Sequence, residues 1–219
     1  MNNQLLKRSA AEAIGTFAIV FFGCGALMVG ERFAGSMSGA AVPVIFGLTV
    51  AAMIYTFGHV SGAHFNPAVT LAFAIARHFP RREVVAYWIG QFAGAIVAST
   101  LLYFILPLGS HYGETVTHVP LVSAFMWEVM VTFFLMLVVM AVATDTRAVG
   151  TMAGAAIGIT VMIGAFVGGP LTGASMNPAR SLGPAIYAHT LDTMGLYFIG
   201  PIVGAALAAV IYSWLKSEA

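Results

Sequence analysis

The chain has 219 residues, of which 60% are apolar and only 8% are Asp, Glu, Lys or Arg, against about a quarter charged in a typical soluble domain. A net charge of +1 cannot hold a nucleic-acid backbone, and a single cysteine, Cys24, excludes both a disulfide framework and a multi-cysteine metal site. Composition therefore excludes a soluble enzyme, a disordered protein and a nucleic-acid partner, and makes the lipid bilayer the solvent for most of the surface.

Between its charges the chain runs uncharged over 13–30, 33–76, 84–113, 129–144, 148–179 and 193–215. A membrane helix needs about 20 mostly apolar residues, which predicts six spans, at 10–30, 39–58, 84–106, 121–143, 150–168 and 195–215. The runs 33–76 and 148–179 are too long for one crossing and too short for two. Each continues through a polar Gly/Ser/Thr/Asn/Pro segment into a short apolar stretch, 66–76 or 177–187. A helix of that length is roughly 16 Å long, half the hydrocarbon core, so both are predicted as re-entrant half-helices. The first span is no cleaved signal, because the apolar stretch after Lys7 and Arg8 is too long and five more spans follow. With both termini on one side, Lys7, Arg8, Arg77, Arg81, Arg82, Arg147 and Lys216 share it, and Arg32 and Arg180 fall on the other. That bias predicts cytoplasmic termini. Short termini without targeting signals point to a prokaryotic plasma (inner) membrane.

The two halves repeat each other. Glu12, Thr16 and Phe17 answer Glu128, Thr132 and Phe133; Gly47 answers Gly158; Asn66-Pro-Ala answers Asn177-Pro-Ala; Tyr87, Gly90 and Gly94 answer Tyr197, Gly200 and Gly204. The offsets are 116, 111, 111 and 110 residues, close enough to mark one duplicated unit. An odd number of spans per unit turns the second copy upside down. The expected fold is thus an all-α membrane protein, with six transmembrane helices plus two re-entrant half-helices in an inverted 3+3 repeat. It forms one domain over 1–219, repeat 1 covering about 9–106 and repeat 2 about 121–216. The glycine pairs have small-xxx-small spacing, which suits close helix packing.

Asn66, Pro67 and Ala68, and again Asn177, Pro178 and Ala179, stand where an irregular segment meets a half-helix. Asn is a preferred N-cap and Pro is favoured at the first helical position, so local chemistry starts both helices. Inversion then sets two helix N-termini face to face near the bilayer centre, each carrying about half a positive charge. With the backbone capping each helix, the Asn amides are expected to donate into a lumen. The preceding segments, 61–65 and 172–176, are expected to be extended and to line it with carbonyls, since irregular backbone at membrane depth must be buried or line water. Such a ladder of acceptors with two donors at its waist suits small, neutral, hydrogen-bonding molecules.

The paired Asn-Pro-Ala boxes, the string Ser-Gly-Ala-His-Phe-Asn-Pro-Ala-Val-Thr from Ser61, the string Asn-Pro-Ala-Arg-Ser from Asn177 and the duplicated glutamates resemble the aquaporin (major intrinsic protein) family over essentially the whole chain. The resemblance implies a passive channel for water and small uncharged solutes that excludes protons and ions, needs no cofactor or metal, and assembles as a homotetramer in the bilayer. It implies pore carbonyls at Gly62, Ala63, His64, Gly173 and Ser175. Glu12 and Glu128 become the carboxyl groups that anchor the re-entrant loops. The outer constriction becomes Phe46, Ala165 (or its neighbour Gly164, the register being open), Ala174 and Arg180.

Strict water channels carry a histidine where this chain has Ala165 or Gly164. Glycerol facilitators carry a bulky aromatic where it has Ala174, and usually an aspartate where it has Ser181. The set here is most similar in character to nodulin-like intrinsic proteins, which pass glycerol, ammonia, urea or neutral metalloid hydroxides along with water. A strict water channel and, at lower weight, a secondary transporter coupled through Glu12 or Glu128 stand as alternatives. His111, Glu114 and His118 read as a solvated loop, a metal site there being a remote alternative. Cys24 reads as filler.

Overall fold

A computed structural model describes residues 3–106 and 111–216, and these are helical without a strand among them. Six helices are long and apolar enough to cross a membrane: α1 (Asn3–Arg32), α2 (Ala41–Ser61), α4 (Val84–Ile105), α5 (Leu121–Thr144), α6 (Ala153–Thr172) and α8 (Met194–Lys216). Two short helices, α3 (Pro67–Ile75) and α7 (Pro178–Ala188), are the half-helices. Single 3-10 turns lead into α4, α6 and α8. The chain is an integral, multi-pass membrane protein.

The helices pack symmetrically under exchange of the halves. α1 lies on α4 as α5 lies on α8, α3 lies on α8 as α7 lies on α4, and α2 meets α6 across the pseudo-two-fold. Lipid tails are as apolar as leucine, so in a bilayer close backbone approach takes over the role of hydrophobic collapse. The glycines show where that approach occurs. A methyl carbon at Gly94 would lie 2.1 Å from Ala13 O, and one at Gly204 would lie 2.2 Å from Val129 O. Gly47 and Gly158 face each other equally closely between α2 and α6, where a methyl carbon on either would come within 2.4 to 2.5 Å of the other's carbonyl oxygen. Large apolar side chains such as Phe104 and Val122 point outward instead, as lipid solvation requires.

Boundaries differ from the sequence reading for local reasons. α1 begins earlier than residue 10 because Arg8 is held, donating to Glu83 at 2.6 Å and to the Tyr87 hydroxyl at 2.9 Å. α2 and α6 run on to Ser61 and Thr172 because both hydroxyls are buried against a glutamate. Pro170 sits inside the last turn of α6 without ending it.

Candidate functional site

Each half-helix starts at its asparagine. Asn66 Oδ1 accepts from Ala68 N at 2.9 Å, and Asn177 Oδ1 accepts from Ala179 N at 3.0 Å, with Pro67 and Pro178 at the first helical positions. The amide ends then cross the pseudo-two-fold. Asn66 Nδ2 donates to Met176 O at 2.7 Å, and Asn177 Nδ2 donates to Phe65 O at 2.9 Å. This corrects the expectation of backbone capping with free amides: the side chain caps, and one N–H of each amide ties the half-helices together. Each amide carries a second N–H, and both asparagines line the central cavity.

The segments before the asparagines are not extended, contrary to expectation. Gly62, Ala63 and Phe65, and equally Gly173, Ala174 and Met176, have positive φ, a conformation that costs a non-glycine residue energy and needs external support. Two buried glutamates supply it. Glu12 accepts from Ser61 Oγ (2.7 Å), His64 N (3.0 Å), Phe65 N (2.5 Å) and Gln91 Nε2 (2.8 Å). Glu128 accepts from Thr172 Oγ1 (2.7 Å), Ser175 N (3.0 Å) and Met176 N (3.1 Å). Ser61 and Thr172 in turn take the N–H of Ala63 and Ala174, and the Tyr87 and Tyr197 hydroxyls donate to Ser61 O and Thr172 O.

A trans peptide points its C=O away from its N–H. N–H groups gathered on Glu12 and Ser61 therefore turn the carbonyls of Gly62, Ala63 and His64 the other way, and the second copy does the same for Gly173, Ala174 and Ser175. All six residues line the cavity. The Ala174 carbonyl belongs to this set although the sequence reading omitted it. The His64 ring lies outside the ladder, with Nδ1 3.1 Å from Thr70 Oγ1 and its face stacked on Phe73 at 4.7 Å.

The cavity measures about 860 Å³ and is lined from Glu31, Gly39 and His118 at one end to Ala143 and Gly150 at the other. Opposite the carbonyls its wall is aliphatic, from Leu135, Val139, Ile157 and Val161. Phe46, Ala165, Ala174 and Arg180 all line it, whereas Gly164 does not. A methyl carbon at Gly164 would meet Met176 Sδ at 2.8 Å, so that position faces the protein interior and Ala165 is the one of the two that faces the cavity. The Arg180 guanidinium lies 5.1 Å from the centre of the Phe46 ring, and its Nη1 donates to Gly113 O at 3.0 Å.

Gly113 belongs to the loop read as merely solvated, and here the sequence reading missed a wall of the site. Thr115 Oγ1 donates to Ser181 Oγ at 3.0 Å, and Ser181 Oγ lies 2.6 Å from Ser175 Oγ. Glu114 accepts from Thr190 Oγ1 at 2.6 Å and has His111 Nδ1 at 3.1 Å. The one available signal was Gly113 itself, whose φ is +73°. Its backbone is pressed against Cys24, which a methyl carbon there would meet at 2.5 Å. Among the described residues no three His, Cys, Asp or Glu side chains converge to hold a metal ion.

Half-helices that meet head to head inside a six-helix bundle, flanking a polar-and-apolar cavity that reaches both faces, define a passive membrane channel and not an enzyme. The family model described as major intrinsic protein matches residues 1–212, and the chain belongs to that family. It is a channel for water and small neutral solutes. It is 44% identical over 213 residues to nodulin-26 of Glycine max, covering 96% of this chain and 78% of that protein. It is 43% identical over 219 residues to a probable NIP-type aquaporin of Nicotiana alata, covering 97% and 79%. Its fold matches the X-ray structure of the aquaglyceroporin from Plasmodium falciparum with a TM-score of 0.89, at 23% identity and over 98% of each chain.

Proposed function

We propose that the channel admits solutes of glycerol size, with ammonia, urea and neutral metalloid hydroxides in the same class, as well as water. The observation that carries this reading is the lining of the cavity. Arg180 stands 5.1 Å from the centre of the Phe46 ring, and Ala165 and Ala174, which line the same cavity, carry only methyl groups. A polyol can then set its hydroxyls towards Arg180 and the carbonyls while its carbon chain slides on the aliphatic wall. The names of the relatives, nodulin-26 and a NIP-type aquaporin, agree with the resemblance of this constriction to nodulin-like intrinsic proteins.

In this reading Asn66 and Asn177 donate to the permeant at the waist, and the carbonyls of Gly62, Ala63, His64, Gly173 and Ser175 accept from it. Glu12 and Glu128 hold the loops that carry them. The opposed N-termini of α3 and α7 place about half a positive charge each at the centre and, with Arg180, exclude protons and cations. The chain acts as one channel domain over 1–219 with repeats at about 9–106 and 121–216, although 1, 2, 107–110 and 217–219 lie outside the described residues. It assembles as a homotetramer in the plasma (inner) membrane with both termini cytoplasmic, in keeping with its charge bias.

The test is stopped-flow light scattering of proteoliposomes under a hyperosmotic glycerol challenge, beside empty liposomes. Fast shrinkage followed by fast reswelling is the expected result. Fast shrinkage with reswelling no faster than in empty liposomes refutes the wide constriction and leaves a strict water channel.

A further inference from the structure

The return from α3 to α4 carries Arg77, His78, Arg81 and Arg82, none of which lines the central cavity. A second concavity, of about 580 Å³, opens there, lined by Ala74, Arg77, His78, Phe79, Pro80 and Arg81. Among the described residues the carboxylates of this face are already engaged, Glu83 with Arg8 and Asp145 with Arg147, each at 2.6 Å. Arg77, Arg81 and Arg82 are exposed and have no anionic partner among the described residues. Lys216, at the end of α8 and bonded to Thr144 O, adds a further cation nearby. Partial burial and then the Lys216 ammonium hold the His78 imidazole below its ordinary value.

The turn itself does not call for an arginine. Arg77 has φ +63° and ends α3, with His78 N donating to Phe73 O at 2.9 Å, a position usually taken by glycine. Nor is the surface beside it aqueous. Val85 and Ile89 follow Arg81 at four-residue steps down α4, each 64% exposed on a membrane-spanning helix. Uncompensated cations at a membrane boundary, directly above exposed aliphatic side chains, match a phosphate headgroup with its acyl chains below.

We propose that this concavity binds the phosphate headgroup of an anionic membrane lipid, with Arg77 and Arg81 as its ligands and Val85 and Ile89 against its acyl chain. A basic residue facing an anionic membrane surface multiplies affinity about fivefold, so losing two lowers it about twenty-fivefold.

The full chain, delipidated in detergent, is titrated with phosphatidylglycerol and with phosphatidylcholine, and bound lipids are counted by native mass spectrometry. The wild type is expected to retain phosphatidylglycerol in preference to phosphatidylcholine. The variant Arg77→Asn/Arg81→Gln is expected to lose that preference while keeping wild-type water permeability in proteoliposomes, asparagine being tolerant of positive φ. Equal retention of the two lipids by the wild type overturns the proposal, as does an unchanged preference in the variant. Displacement of bound phosphatidylglycerol by millimolar inorganic phosphate also overturns it, and assigns the site to free phosphate.

Discussion

Glu128 offers the sharpest test of how the re-entrant loop is held. Its Oε1 takes Thr172 Oγ1 and Ser175 N, and its Oε2 takes Met176 N alone. In Glu128→Gln the remaining oxygen can keep the first pair, but the new NH2 then faces Met176 N–H, donor against donor. The Met176 N–H and the amide N–H turned towards it are then both buried without a partner, which costs about 2–6 kcal/mol. In Glu128→Ala both the Ser175 and Met176 N–H groups lose their acceptor, again about 2–6 kcal/mol, and the cavity left by the deleted side chain raises the cost further. The Thr172 hydroxyl adds little, since Gly168 O lies 3.5 Å away as a substitute acceptor. Because Met176 O receives Asn66 Nδ2, a loosened loop also misplaces the waist. Thermal unfolding of the purified protein should rank wild type above Gln above Ala, and osmotic water permeability should fall in the same order. Stability of Glu128→Gln equal to wild type, or wild-type permeability in Glu128→Ala, would refute this account of how the loop is held.

Other substitutions probe the pore, the packing and the termini face. Ala165→His should narrow the constriction, abolishing accelerated glycerol reswelling while leaving fast water shrinkage, both read by stopped flow. Arg180→Val should preserve the fold and admit protons or cations, measured as decay of an imposed pH gradient at least about tenfold faster than in wild-type vesicles, a lowering of the barrier by about 1.4 kcal/mol. Gly204→Ala puts a carbon where Val129 O stands at 2.2 Å and should cost about 1–3 kcal/mol or more through overpacking, visible as a lower melting temperature. Hydrogen bonds from the Arg147 side chain and backbone hold Asp145 below its ordinary value. Its contribution to stability is therefore present above the unfolded value of about 3.9 and is lost as pH falls through the lowered folded value. Asp145→Asn should melt below wild type at pH 7, and the gap should close on acidification below about pH 4.

The sequence by itself determined whatever depends on composition and on neighbours along the chain. Long uncharged runs force membrane helices, because a backbone in lipid must satisfy its own hydrogen bonds. Asn-Pro-Ala starts a helix wherever it stands, because cap and first-turn chemistry is local, and the duplicated offsets impose the inversion. The tertiary structure alone decided what each polar group meets. Asn66 Nδ2 finds its acceptor on the other repeat, 110 residues away, and Thr115 finds Ser181 66 residues away; the repeat offset marks equivalent positions and does not say which of them touch. The choice of Ala165 over Gly164 is a rotation of about 100° about the α6 axis, set only when Gly164 closes on Met176. The backbone of 61–65 and 172–176 could not be read either. Its positive φ values have no glycine signature at Ala63, Phe65, Ala174 and Met176, and they are held by two glutamates on other helices. Segments whose conformation is imposed by distant partners carry little of it in their own residues.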